Sequence, residues 1–216
     1  MKITVIDYGL SNLLSVQRAF AHSGAEVEVT DSRSKILAAH ALCLPGVGAF
    51  KDGMEVLDRL MLTDAIQNKA HSGTPLLGIC LGMQMLFDES DEFGKHAGLG
   101  LIPGRVERIP YSDINGDVQR VPHVGWNALL PQNPRQDFSG TILSSVKKGD
   151  EAYFVHSYEA KPADTKYRLA NTIYGGREVC AAAQKGTVIG CQFHPEKSGE
   201  IGLSIIREYT RFCENI

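Results

Sequence analysis

Cysteine is sparse and scattered in this chain: the 216 residues hold five, at 43, 80, 180, 191 and 213, with no Cys-x-x-Cys pair. An odd, dispersed set argues against a disulfide framework and against a structural zinc site. A surplus of one charge is also lacking. Lys and Arg number 22 against 25 Asp and Glu, a net charge of -3, so no general polyanion-binding surface is expected and nucleic acid and acidic membranes are excluded as partners. No apolar run approaches the roughly 18 residues of a membrane span. The opening stretch Met1–Asp7 is too short for a signal peptide's apolar core and has no small-residue cleavage site, which makes a reducing cytoplasm the expected location. His22, His40, His71, His96, His123 and His156 show no metal-ligand spacing, so no metal and no cofactor are expected.

What is present is an ordinary globular composition, 43% hydrophobic and 22% charged, at a length that fits one domain over 1–216. The first half alternates strand-like and helix-like patterns: Lys2–Asp7, Ala25–Thr30, Ala41–Leu44 and Thr74–Ile79 as strands, Ser11–His22 and Asp52–Lys69 as helices, and a further helix from Cys80 to about Asp88. Strands separated by helices imply a parallel sheet covered on both sides. From Gly104 onward the runs shorten: Arg105–Ile109, Val118–Pro122, Ala152–Val155, Leu169–Ile173, Val179–Ala183 and Val188–Phe193, before a closing helix over Gly202–Cys213. The predicted fold is therefore a single α/β domain whose central, largely parallel sheet is flanked by helices, with antiparallel strands appended in the second half.

Chemistry concentrates at two distant segments. Gly78-Ile79-Cys80-Leu81-Gly82 follows an apolar run and has the form of a nucleophile elbow, a reactive side chain with glycines two residues to either side on a strand-to-helix turn. Such a turn sits at the carboxyl end of its strand, where sites in open α/β sheets gather. In His194-Pro195-Glu196 the proline disfavours helix at His194, and in extended chain residues i and i+2 point the same way, so the carboxylate can accept the imidazole N–H and fix its tautomer. Thiol, imidazole and carboxylate make a Cys-His-acid triad of Cys80, His194 and Glu196. Cys43, Cys180, Cys191 and Cys213 read as small core residues. Acyl chemistry also needs donors for an oxyanion. The N–H of Leu81, next after the nucleophile, is one; Val47 or Gly48 in the glycine-rich turn Pro45-Gly46-Val47-Gly48-Ala49-Phe50 is another. No Gly-Lys-Ser/Thr follows that turn to make it a phosphate loop.

Pro45–Gly48, Gly78–Gln84 and Gln192–Glu196 together, and in this order, resemble the three signatures of class I, triad-type glutamine amidotransferases. Asp7-Tyr8-Gly9 with Ser11-Asn12, Pro122-His123-Val124-Gly125-Trp126-Asn127 and Tyr153-Phe154-Val155-His156-Ser157-Tyr158 resemble, within that family, the glutaminase subunits that serve a (β/α)8-barrel cyclase subunit in histidine biosynthesis. The resemblance implies that Cys80 attacks the side-chain amide of glutamine, that a γ-glutamyl thioester is hydrolysed to glutamate, and that ammonia passes to the cyclase partner in a heterodimer. It also implies that Gln84, Glu92, Ser157 and Tyr158 recognise glutamine, and that Asn12, Trp126 and Lys185 lie on the partner face. In this family the oxyanion turn can rest in an unproductive orientation, which implies weak activity without the partner and its nucleotide ligand. Three other readings compete with this one: a glutaminase of another pathway or a γ-glutamyl hydrolase, a non-catalytic scaffold that would need no intact triad, and a redox thiol protein that would need a resolving cysteine near Cys80.

Overall fold

In the computed structural model, which describes residues 1–133 and 137–216, the chain builds one large mixed sheet with helices on both faces. The first half supplies β1 (Lys2–Ile6), α1 (Leu13–His22), β2 (Glu26–Thr30), α2 (Arg33–Ala38), β3 (Leu42–Gly46), α3 (Phe50–Arg59), α4 (Thr63–His71), β4 (Leu76–Cys80) and the short α5 (Leu81–Met85). Then come β5 (Phe87–Ser90), β6 (His96–Ala97), β7 (Ile102–Arg108), β8 (His123–Ala128), β9 (Leu130–Pro131), β10 (Glu151–His156), β11 (Tyr158–Pro162), β12 (Arg168–Tyr174), β13 (Arg177–Lys185), β14 (Val188–Cys191) and α6 (Gly199–Glu214). The large sheet runs β2-β1-β3-β4-β14-β13-β12-β9, parallel from β2 to β14 and antiparallel beyond. A four-stranded sheet β11-β7-β5-β6 and the two-stranded ribbon β8–β10 complete the fold.

Alternation along the parallel strands divides the core in two. Ile3 and Val5, Cys43, and Leu77 and Ile79 face the side packed by Val16 and Phe20 of α1 and by Ile205, Ile206 and Tyr209 of α6. Ile6, Leu42 and Leu44, and Leu76 face the other side, with Met54 and Leu57 of α3 and Ala65 and Ile66 of α4. A strand buried on both faces must be apolar throughout, and β4 is buried along its whole length.

Several boundaries differ from the sequence expectation. The helix expected over 52–69 is two helices, because Met61 takes a left-handed φ of 56° and closes α3. α2 was not anticipated; its six residues carry one buried apolar side chain, Ile36, too little for a periodic signal. The helix after Cys80 stops at Met85, and Phe87–Ser90 is strand. Val118–Pro122 is not a strand; Val118, 93% exposed, makes only an isolated bridge to Ser112, and the true strand β8 begins at His123. No helix among the described residues is long and apolar enough to cross a membrane.

Candidate active site

Strand order and register assemble the site. β4 lies between β3 and β14; Gly46 is opposite Cys80 on one side and Cys191 is opposite Ile79 on the other. The turn after β3 and the segment after β14 therefore flank the thiol, although 34 and 114 residues separate Gly46 and His194 from Cys80 in sequence.

The elbow is tight, and its strain falls on the nucleophile. Cys80 has φ 55° and ψ −110°, a conformation costly for a residue with a side chain. Its flanking glycines are needed for space, since neither has a positive φ. A Cβ on Gly82 would stand 1.7 Å from the Leu44 carbonyl oxygen, and one on Gly78 would stand 2.7 Å from the Gly82 carbonyl oxygen. The sharp turn thus requires backbone of α5 to touch backbone of β3 and β4.

His194 and Glu196 meet within 2.8 Å, Nδ1 to Oε1, both buried. His194 is extended, as the following proline favours, but Pro195–Lys197 form a 3₁₀ turn, so Glu196 reaches the ring from a turn and not from continued strand. Ser198 locks this turn: its hydroxyl donates to the His194 carbonyl at 2.7 Å and accepts from the Tyr153 N–H at 2.9 Å, while the His194 N–H donates to the Tyr153 carbonyl at 2.9 Å. The imidazole Nε2 is buried without a hydrogen-bond partner. Cys80 Sγ lies 3.8 Å from the Val155 carbonyl oxygen and 3.8 Å from Gln192 Nε2, and makes no aligned bond to the ring. Burial pulls the His194 pKa down, but the adjacent Cys80 and the Glu196 carboxylate outweigh it and raise it to about 9. Contact with the thiol is by proximity in this state; the ring's readiness to hold a proton follows from the sulfur on one side of it and the Glu196 carboxylate on the other.

The two oxyanion candidates are in different states. Leu81 opens α5, so its N–H is among those a helix leaves without an internal partner. The Val47 N–H donates to the Leu10 carbonyl at 2.8 Å and is turned to that use, while Gly48 takes φ 105°. Tyr8 was not anticipated: its buried, unpartnered hydroxyl stands 2.2 Å from where a Cβ on Gly46 would be, directly behind the turn.

A cavity of about 370 Å³ opens over the thiol; Val47, Gly48, Cys80, Gln84, Glu92 and Ser157 line it, and Tyr158, His156, Pro122 and His194 are also in its wall. Gln84 Nε2 donates to the Tyr158 carbonyl and to Gln192 Oε1, each at 3.0 Å. Glu92 accepts the Phe50 N–H at 2.7 Å, capping α3 where the oxyanion turn ends; burial raises its pKa against that bond. Gln192, buried and bonded to both Gln84 and the thiol, was legible only as part of a motif.

Asn12 is exposed after β1, on the edge of the sheet where Cys80 sits, and Trp126 is 51% exposed on β8, its ring 6.0 Å from that of Tyr153. Lys185 does not join them. It pairs with Val188, which pairs with Leu76 at the start of β4, so it lies at the opposite end of the sheet from Cys80, with Nζ on the Leu101 carbonyl at 3.0 Å. Its sequence position at a strand terminus gave no direction, and antiparallel β13 carries it away. Lys197, next to Glu196, is exposed on the triad side.

The family description "Glutamine amidotransferase class-I" matches residues 4–208, and the chain belongs to the class-I glutamine amidotransferases. Solved structures agree in fold: one titled a glutamine amidotransferase superposes with a TM-score of 0.71 at 16% identity, covering 98% of this chain and 97% of that one. PurLQS from Thermotoga maritima gives 0.70 at 20% identity, covering 98% of both. Within the class the chain falls in the HisH family. It is 47% identical over 207 residues to the imidazole glycerol phosphate synthase subunit HisH 1 of Legionella pneumophila strain Lens, covering 96% of this chain and 97% of that one. It is also 46% identical over 209 residues to HisH of Syntrophotalea carbinolica, covering 96% and 98%.

Proposed function

We propose that this chain is a glutaminase that hydrolyses L-glutamine to glutamate and ammonia on Cys80, and that it delivers the ammonia to a (β/α)8-barrel cyclase subunit. That subunit would form imidazole glycerol phosphate and AICAR in histidine biosynthesis, in a cytoplasmic heterodimer. The observation that carries the reading is the buried His194–Glu196 pair held beside a strained thiol at the head of a cavity that admits a small amide. His194 takes the Cys80 proton as sulfur attacks the carboxamide carbon. It returns that proton to the nitrogen as the C–N bond breaks and ammonia leaves. Water, deprotonated by the same ring, then cleaves the γ-glutamyl thioester, and the carboxylate of Glu196 holds the tautomer throughout. In this reading Gln84, Glu92, Ser157 and Tyr158, which line the cavity, receive the amino-acid end of the substrate.

The Val47–Leu10 hydrogen bond supports a conditional enzyme. Leu10 lies two residues from Asn12, and Leu14, Val124 and Trp126 expose apolar surface. A partner seated there would contact the loop that holds the oxyanion donor. Releasing Val47 means flipping the Gly46–Val47 peptide so that its N–H points at the thiol side. Free ammonia is protonated in water and lost, which favours a docked acceptor over release.

The test is glutamate release from glutamine by the purified chain, alone and with a cyclase subunit plus its nucleotide ligand, with Cys80→Ala as control. Release that needs the partner and is abolished by the substitution is expected. Release indifferent to the partner would move the chemistry to another pathway, and none under any condition would overturn the glutaminase reading.

A further inference from the structure

His156 of β10 is itself part of the cavity wall, and His123 of β8 stands directly opposite it across the ribbon, both buried. Their four ring nitrogens can be assigned from their partners. His156 Nδ1 is 2.7 Å from the Tyr158 carbonyl oxygen, which only accepts, so Nδ1 carries a proton. His123 Nε2 is 2.8 Å from Asn127 Oδ1, and Asn127 is oriented by its Nδ2, which donates to the Ile173 carbonyl at 3.0 Å; His123 Nε2 therefore carries a proton too. The two remaining nitrogens, His123 Nδ1 and His156 Nε2, face each other at 3.1 Å. Two neutral rings would set lone pair against lone pair in that gap. A third proton closes it.

We propose that His123 and His156 are positioning residues, a cationic His123 donating its Nδ1–H to a neutral His156, and that this proton-sharing pair ties the Ser157–Tyr158 wall of the cavity to the Trp126 ribbon. The surroundings place the charge on His123. Its ring is sandwiched by Phe154, centroids 5.1 Å apart, and Tyr174, 4.0 Å apart, both stacked, and aromatic faces hold a cation. Burial drives the His156 pKa down to about 3, against the Tyr158 bond, and charge on His123 and His194 presses the same way. Burial lowers His123 as well, against the raising effect of Asn127. Tyr174 on the stacked face and His194 across from His156 are the titratable groups that bear on the pair. The tie continues inward: the Tyr158 carbonyl that accepts from His156 also accepts from Gln84, which bonds Gln192, which meets Cys80 Sγ.

The kinetic consequence rests on the glutaminase reading; the proton count does not, and the experiment separates them. In the full chain labelled with ¹⁵N-histidine at pH 6, a two-bond coupling between His123 Nδ1 and His156 Nε2, with three ring protons on the pair, is expected. Two singly protonated rings without coupling would overturn the proposal. His123→Phe keeps the aromatic stack and removes the tie. It is expected to raise the KM for glutamine about tenfold, the value of one buried hydrogen bond, with kcat within about threefold. An unchanged KM in a variant whose Cys80 is still alkylated by iodoacetamide at the parental rate would overturn the positioning role. If that variant does not fold, Asn127→Asp supplies the alternative: a carboxylate on His123 should carry the coupling to higher pH, and an unaltered titration would count against the pair. A chain that shows the coupling but hydrolyses no glutamine leaves the pair standing and removes the glutaminase reading.

Discussion

The two flanks of Cys80 are built differently. On the β14 side, His194 is buried and held by Glu196, by the Ser198 hydroxyl and by the backbone of Tyr153, so the proposed base is in place before any substrate arrives. On the β3 side, the donor that should meet the oxyanion is bonded instead to Leu10, in a turn where Val47 is 39% exposed. A base held from several sides, beside a proposed oxyanion donor that is bonded elsewhere, fits the proposed conditional enzyme, in which the chemistry is assembled and the rate is gated. Electrostatic preorganisation supplies much of the acceleration, so displacing one donor silences a site without dismantling it.

The largest expected effect comes from breaking the fixed flank. Glu196→Gln preserves shape but presents the wrong hydrogen-bonding partner to Nδ1, and kcat for glutamine should fall about 10³–10⁴-fold with the fold intact, read by steady-state glutamate release. The same substitution changes the pH dependence of stability. His194 titrates near 9 in the folded chain against about 6.5 unfolded, so its contribution is full below about pH 6.5 and is lost as pH rises through 9. Thermal midpoints should decline over that window in the parent and decline less in Glu196→Gln. Equal slopes would show that the carboxylate does not raise the imidazole.

Next is the seat of the nucleophile. Gly82→Ala puts a methyl group 1.7 Å from the Leu44 carbonyl oxygen, where both contacting groups are backbone and neither can rotate aside. Overpacking of this kind should cost about 3 kcal/mol in urea unfolding, with Cys80 alkylation slowed as the elbow shifts. A stability loss under 1 kcal/mol would mean that α5 moves freely against β3, and the fixed flank would be less fixed than its contacts indicate.

The movable flank can be sharpened rather than broken. Flipping the Gly46–Val47 peptide rotates φ of Val47 by about half a turn, from its negative value into the positive region, where a β-branched residue is strained by roughly 1–2 kcal/mol. Val47→Gly removes that strain and should raise partner-free turnover about tenfold, while turnover with the partner and its ligand changes little. Glutaminase assays of the isolated variant decide it; no rise would mean that the barrier to release lies in the Leu10 bond alone.

Much of this was legible because strand and elbow signals are local. The all-apolar run into Gly78-Ile79-Cys80 announces a strand covered on both faces, and the paired glycines announce a close turn, although their role is spatial and the positive φ belongs to Cys80. Less legible was whatever depends on long-range partners. β10 alternates buried and half-exposed residues and was legible, but β8 is held by its pairing with β10 and by stacked rings rather than by a hydrophobic period, so His123 and Trp126 carried no strand signal. Gln192 and Tyr8 act through neighbours more than 100 and about 40 residues away, so the segments that contain them mark a motif without showing what either side chain does.

The smallest effect separates two lysines. Lys185 ends an antiparallel strand and so sits at the end of the sheet remote from Cys80, with Nζ satisfied by Leu101. Lys197 is exposed beside Glu196, on the edge that also carries Asn12 and Trp126. Charges at the rim of an interface contribute modestly, chiefly through association rate. Lys197→Ala should weaken binding of the cyclase subunit by about 1 kcal/mol, roughly fivefold in Kd, in calorimetry at low salt, and Lys185→Ala should leave it unchanged. The opposite ranking would place the partner at the wrong end of the sheet to touch the Leu10 loop, and the gate on the movable flank would need another trigger.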